Sequence, residues 1–103
     1  MGSPMKIRAS LSGETADVKV LMRHDMETGQ RKDASGAVIP AWYIQEVTVA
    51  LNGKAVVTAE WGAAVSKDPY LALKVKGAKS GDAVSVTWVD NKGDTRTDET
   101  KIA

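Results

Sequence analysis

The sequence predicts an all-β protein, an immunoglobulin-like antiparallel β-sandwich of about seven strands. Three observations carry that reading. Apolar residues recur at every second position, which is the period of a strand. Turn signals separate the runs at short, regular spacing. No segment shows a good helical pattern.

The first run alternates Ile7, Ala9 and Leu11 with Lys6, Arg8 and Ser10, and Ser12-Gly13 turns it. The second alternates Ala16, Val18, Val20 and Met22 with Asp17, Lys19 and Arg23. Each such run is one dry face and one wet face of a half-buried antiparallel strand. The strand over 42–51 is irregular. Trp42 and Ile44 are even, whereas Val47, Val49 and Leu51 are odd. A one-residue slip exchanges the faces of a strand, so a bulge near Gln45-Glu46 would bring both sets into the core. Without it, one set would form an outward patch.

Asn52-Gly53 then marks a tight hairpin, because a type I′ turn needs positive φ at both central residues. The next strand is expected to bury Ala55, Val57, Ala59 and Trp61 and to expose Val56, Thr58 and Glu60. Two further runs follow: Leu71, Leu73 and Val75, then Val84, Val86 and Trp88. Ser80-Gly81 and Asn91-Lys92-Gly93 supply turns. The last run, 95–102, is polar on both faces, and its charges suit an edge strand that must not recruit another chain. The segment 24–41 is too long for a hairpin loop and carries both charge signs. Long ordered loops on rigid sandwiches are often functional, and a solvated crossover is the alternative.

At 103 residues the chain holds one domain. Residues 1–4 are expected to be a flexible N-terminus and 5–103 the single sandwich domain. The net charge is +1, from 14 basic and 13 acidic residues, so no nucleic-acid or membrane-binding basic face is expected. The chain has no cysteine, which excludes disulfides, thiolate chemistry and Cys-based zinc sites. No run approaches the roughly 20 apolar residues of a membrane helix. Met1–Met5 has no apolar core of a secretory signal.

Catalytic constellations do not emerge. His24 is the single histidine, and its spacing to Asp25 and Glu27 matches no ligand motif. No serine sits in a nucleophile elbow. Asp98 and Glu99 point to opposite faces of a strand, so they form no acid/base pair. The glycines fall one per turn and build no phosphate cradle. Neither catalytic residues nor a cofactor or metal is expected. Trp61 and Trp88 fall on inward positions in a chain without Phe, which leaves Trp42, after Pro40-Ala41, as the aromatic at the surface.

The segment His24-Asp25-Met26-Glu27-Thr28-Gly29-Gln30-Arg31-Lys32-Asp33, with Gly36, Ile39-Pro40-Ala41-Trp42 and Ile44, resembles the Z subunit of the bacterial Sox system. So do Trp61-Gly62, Val65-Ser66, Pro69-Tyr70 and Thr87-Trp88-Val89-Asp90-Asn91-Lys92-Gly93-Asp94. The resemblance runs from Met5 over nearly the whole chain. It implies an immunoglobulin-like, non-catalytic subunit that forms a heterodimer with the Y subunit, SoxY. SoxY carries sulfur intermediates of thiosulfate oxidation on a cysteine of its C-terminal arm, and the heterodimer docks transiently with the other Sox enzymes. It also implies a periplasmic location, reached by export together with a signal-bearing partner.

On this reading the 24–44 region supplies partner contact. Met26, Ile39, Pro40, Trp42 and Ile44 are the apolar candidates. Arg31 and Lys32 would form charge-assisted bonds, and Glu27 is a further partner-binding candidate. Two other classes compete: a small-ligand or carbohydrate-binding module using Trp42 and Tyr43, and a metal site at His24.

Overall fold

The computed structural model describes residues 3–62 and 64–103. It contains seven strands: β1 Lys6–Ser12, β2 Thr15–Leu21, β3 Ile44–Leu51, β4 Lys54–Glu60, β5 Tyr70–Lys76, β6 Ala83–Asp90 and β7 Thr95–Lys101. All named strand pairs are antiparallel. One sheet has the order β1-β2-β5 and the other β4-β3-β6-β7. The all-β sandwich expected from the alternation is therefore the fold. Met1 and Gly2 of the expected flexible terminus lie outside the described residues. Met5 is already buried, and its N–H donates to Asp98 Oδ2 at 2.9 Å.

The core forms where the inward faces meet. Ala16, Val18, Val20 and Met22 come from β2 and its extension, and Val84, Val86 and Trp88 come from β6. All are essentially inaccessible to solvent. The parity change at the start of β3 is resolved as expected. The β3–β6 register slips between Ile44 and Glu46, which leaves Gln45 as an extra residue. Ile44, Val47 and Val49 consequently share one face and are all buried. The Asn52-Gly53 turn joins β3 to β4 with φ of 50° and 84°, and Leu51 pairs directly with Lys54. Those are the signs of a two-residue primed turn.

β4 departs from expectation. Val57 and Ala59 face the core side, opposite Val49 and Val47, yet Ala55 and Val57 are exposed. For Ala55 the cause is a register shift between Val49 and Ala50, which sets it opposite Ala50 on the other face, whereas Val57 lies on the edge strand of a four-stranded sheet that faces only three strands. Between the sheets, β1 packs beside β7, at the far edge from β4. β7 is the polar edge strand that its sequence predicts. Its inward positions, Arg96, Asp98 and Thr100, lie opposite Trp88, Val86 and Val84. Arg96 donates to Asp98 from Nε at 3.0 Å and Nη2 at 2.7 Å. This pair, with the Met5 N–H, holds the Asp98 carboxyl below its ordinary pKa against the opposing effect of burial. An inward-facing ion pair on an edge strand discourages pairing with another chain.

The two apolar surfaces of the β3–β4 hairpin should respond differently to truncation. Ile44→Ala is expected to cost about 3 kcal/mol, because it empties a closed core position. Val57→Ala should cost less than about 1 kcal/mol, since its side chain loses little burial. Urea unfolding of both variants checks the assignment, and equal losses would contradict it.

Candidate functional site

The 24–43 segment is an arm rather than a loose crossover. Glu27 and Trp42 exchange backbone hydrogen bonds of 2.6 and 3.0 Å, and Ile39 donates to Arg31 at 2.8 Å. Lys32 bridges Val38. The chain thus runs out from β2, reverses, and returns to β3 as an irregular two-stranded hairpin. At its tip, Asp33 Oδ1 accepts hydrogen bonds from the Ser35 N–H, the Ser35 hydroxyl and the Ala37 N–H. These bonds, the Ser35 hydroxyl foremost, hold the Asp33 carboxyl below its ordinary pKa. On the outgoing limb, Gly29 has φ +85°, and a Cβ there would sit 3.1 Å from the Ala41 Cβ of the returning limb. Only glycine suits that place. The molecule measures 53 × 20 × 20 Å, whereas strands of seven or eight residues span roughly 25 Å.

The root of the arm is a buried polar cluster centred on Asp90, the last residue of β6. Asp90 Oδ2 accepts a hydrogen bond from Trp42 Nε1 at 2.7 Å and lies 3.1 Å from His24 Nε2. Asp90 Oδ1 accepts the N–H groups of Lys92 and Asp94, both at 2.9 Å. The Met26 N–H donates to His24 Nδ1 at 3.1 Å. That assignment leaves the ring proton on Nε2, where it donates to Asp90. The backbone of His24 is held as well, by hydrogen bonds in both directions with Asp68. His24 packs its ring 4.8 Å from Trp42 and, edge to face, 5.1 Å from Trp88. The Lys92 ammonium lies 4.6 Å from the centre of the Trp42 ring.

Burial pushes the Asp90 carboxyl up in pKa. The hydrogen bonds from His24, Trp42, Asp94 and Lys92 outweigh that effect and hold it below the ordinary aspartate value. The four donors satisfy a carboxylate that would otherwise be costly to bury.

The expected partner-binding residues divide into three groups. Arg31, Lys32 and Pro40 are exposed, and Ile39 is half-buried beside them. Glu27 and Arg31 are already joined by a bidentate pair, with Arg31 Nε to Oε1 at 3.0 Å and Nη2 to Oε2 at 2.6 Å. The Arg31 guanidinium holds Glu27 below the ordinary glutamate range. Trp42 is half-buried and committed to Asp90. Met26 and Ile44 are core residues, 5 % and 0 % exposed, and the Ile44 N–H donates to Met26 Sδ at 3.3 Å. These two support the arm from beneath instead of forming its surface.

Sequence reasoning missed the Asp90 anchor and Val38, which is 55 % exposed on the arm. A signal for the anchor was present. His24 continues the inward parity of Ala16 to Met22, and Asp90 continues that of Val84 to Trp88. A histidine and an aspartate on two dry faces imply each other. Both His24 ring nitrogens are occupied by hydrogen bonds, and no group of three or more candidate ligands that could hold a metal occurs among the described residues.

Fold and site together define an immunoglobulin-like sandwich that carries a braced hairpin between β2 and β3. The family model of the sulphur oxidation protein SoxZ matches residues 5–101 of the 103. The chain belongs to the SoxZ family and is therefore a component of the Sox system of thiosulfate oxidation. A search of curated proteins finds no match.

Replacing Asp90 by asparagine turns one acceptor oxygen into a donor that faces other donors. Asp90→Asn should cost about 3 kcal/mol at neutral pH. The pH dependence follows from the lowered pKa. The unfolded aspartate titrates near about 3.9 and the folded one lower, so this stability is fully present well above that value. It fades as pH falls toward the folded pKa. Urea midpoints measured from pH 7 downward should show the wild-type advantage over Asp90→Asn shrinking below about pH 5. A constant difference would remove Asp90 ionisation from the account.

Proposed function

We propose that this chain is the non-catalytic subunit that binds the cysteine-bearing SoxY protein and forms with it the sulfur-carrier heterodimer of periplasmic thiosulfate oxidation. The single observation that carries the proposal is the arm. It is built with its own backbone ladder, braced by a buried carboxylate, and exposed along residues 30–38. A fold keeps so ordered a projection where it has something to hold, because preorganisation lowers the entropy lost on association. The absence of cysteine supports the same division of labour. A chain without a thiol cannot carry sulfur covalently, so a Sox component of this composition works through another chain that can.

On this reading Lys32, Ile39, Pro40 and the newly recognised Val38 form the contact. Arg31 presents the outer side of its pair with Glu27. Other Sox enzymes would dock transiently on the assembled carrier. The carbohydrate-binding alternative loses its platform, since Lys92 lies over the Trp42 ring and the indole N–H is bound to Asp90.

The test is to mix the chain with purified SoxY and measure mass and affinity by light scattering and calorimetry. A 1:1 complex is expected. The double variant Lys32→Glu with Val38→Asp should weaken it at least about tenfold while leaving the melting temperature unchanged, since both side chains are exposed. Failure to form any complex would overturn the heterodimer. An unchanged affinity of the double variant would remove the arm from the interface.

A further inference from the structure

A second surface lies on the outer side of the four-stranded sheet. The register places Thr58, Thr48, Thr87 and Thr97 in one row across β4, β3, β6 and β7. Thr87 and Thr97 share a hydroxyl hydrogen bond of 2.8 Å. The next row reads Glu60, Glu46, Val89 and Thr95. The threonine row is made of small side chains, which permits close approach of a second protein surface. Val56 and Val89 add exposed apolar area at 40 % and 36 %.

The row containing Glu46 and Glu60 sets two like charges side by side, as Arg8 and Lys19 are set on the other sheet. The two glutamates are direct cross-strand partners, so both carboxylates stand on the same face of neighbouring strands. Like charges so placed are destabilising. No described cation compensates them: the ion pairs among the described residues are His24–Asp90, Arg31–Glu27 and Arg96–Asp98. Beside the carboxylates is a cleft lined by Tyr43, Gln45, Glu46, Glu60, Trp61 and Val89. The Gln45 bulge shapes it, since the Trp61 N–H donates to the Gln45 carbonyl at 2.8 Å and so brings the indole alongside.

We infer that this face docks a protein partner that places an arginine side chain in the cleft, between the Glu46–Glu60 pair and the rings of Tyr43 and Trp61. A guanidinium meets both halves of the site. It forks to carboxylates and stacks on aromatic faces, which an ammonium does less well. A second copy of this chain does not pair with it face to face. The face itself carries Glu46, Glu60 and Glu99 against one cation, Lys101, and none of the four arginines (Arg8, Arg23, Arg31, Arg96) lies on it. The site is separate from the exposed arm, and the inference stands whichever protein the arm holds.

The probe is a blocked five-residue peptide, acetyl-Val-Thr-Arg-Thr-Val-amide, with a control carrying citrulline in place of arginine. Each is titrated into the isotopically labelled full chain and followed by amide and indole NMR shifts. The arginine peptide should shift the signals of Glu46, Glu60, Val89 and the Trp61 indole. The citrulline peptide should bind at least about tenfold more weakly. The same loss is expected for the double variant E46Q/E60Q, whose melting temperature should not fall, because both side chains are exposed. Equal binding of the two peptides, unchanged binding to E46Q/E60Q, shifts confined to other residues, or no shift at millimolar peptide would each overturn the inference.

Discussion

The Asp90 carboxylate ties together three junctions of the chain. His24 follows β2, Trp42 precedes β3, and Lys92 and Asp94 form the turn into β7. One side chain therefore fixes where the arm leaves the sandwich, where it returns, and how β6 turns. An ionised group at 1 % exposure is tolerable only because its two oxygens accept four hydrogen bonds. That requirement makes the arrangement selective. A different exit angle for the arm would leave a buried charge short of donors. Trp88 shows the limit of this satisfaction: its indole N–H has no hydrogen-bond partner among the described residues, although the ring packs against His24.

The arm has little core of its own, yet its order does not depend on one. Its backbone groups pair across the hairpin, its tip is closed by Asp33, and its root is closed by Asp90. With the main chain satisfied, the side chains from Gln30 to Val38 are left to the surface. The resulting object is a sandwich with a projection hydrogen-bonded along its length. Association with such a surface loses less conformational entropy than association with a disordered loop.

Much of this was legible in the alternation of the sequence. The inward sets of β2 and β6, the type I′ turn at Asn52-Gly53 and the bulge at Gln45 follow from parity and turn chemistry alone. What parity cannot say is whether anything covers a face. Val57 has inward parity and is still 40 % exposed, because β4 overhangs a three-stranded sheet. The same gap misplaced Met26 and Ile44. Both belong to the long 24–44 region by position, but Met26 continues the inward series of β2, and Ile44 opens that of β3. The anchor was hidden for another reason. His24 and Asp90 are 66 residues apart, and each alone reads as a polar residue beside a turn.

The internal pairing of charges separates those that serve the fold from those left for other molecules. The chain is nearly neutral overall, so its total charge says little about partners. Its pairs say more. Arg96–Asp98 secures an edge, Arg31–Glu27 stiffens the arm, and His24–Asp90 roots it. Outside those pairs, two glutamates stand side by side on the outer sheet, next to a cleft lined by Tyr43 and Trp61. A repulsion that no described residue relieves is explained when the relief comes from outside. On the proposed reading the arm and the outer face divide the work, one gripping through shape and apolar contact, the other recognising a positive charge.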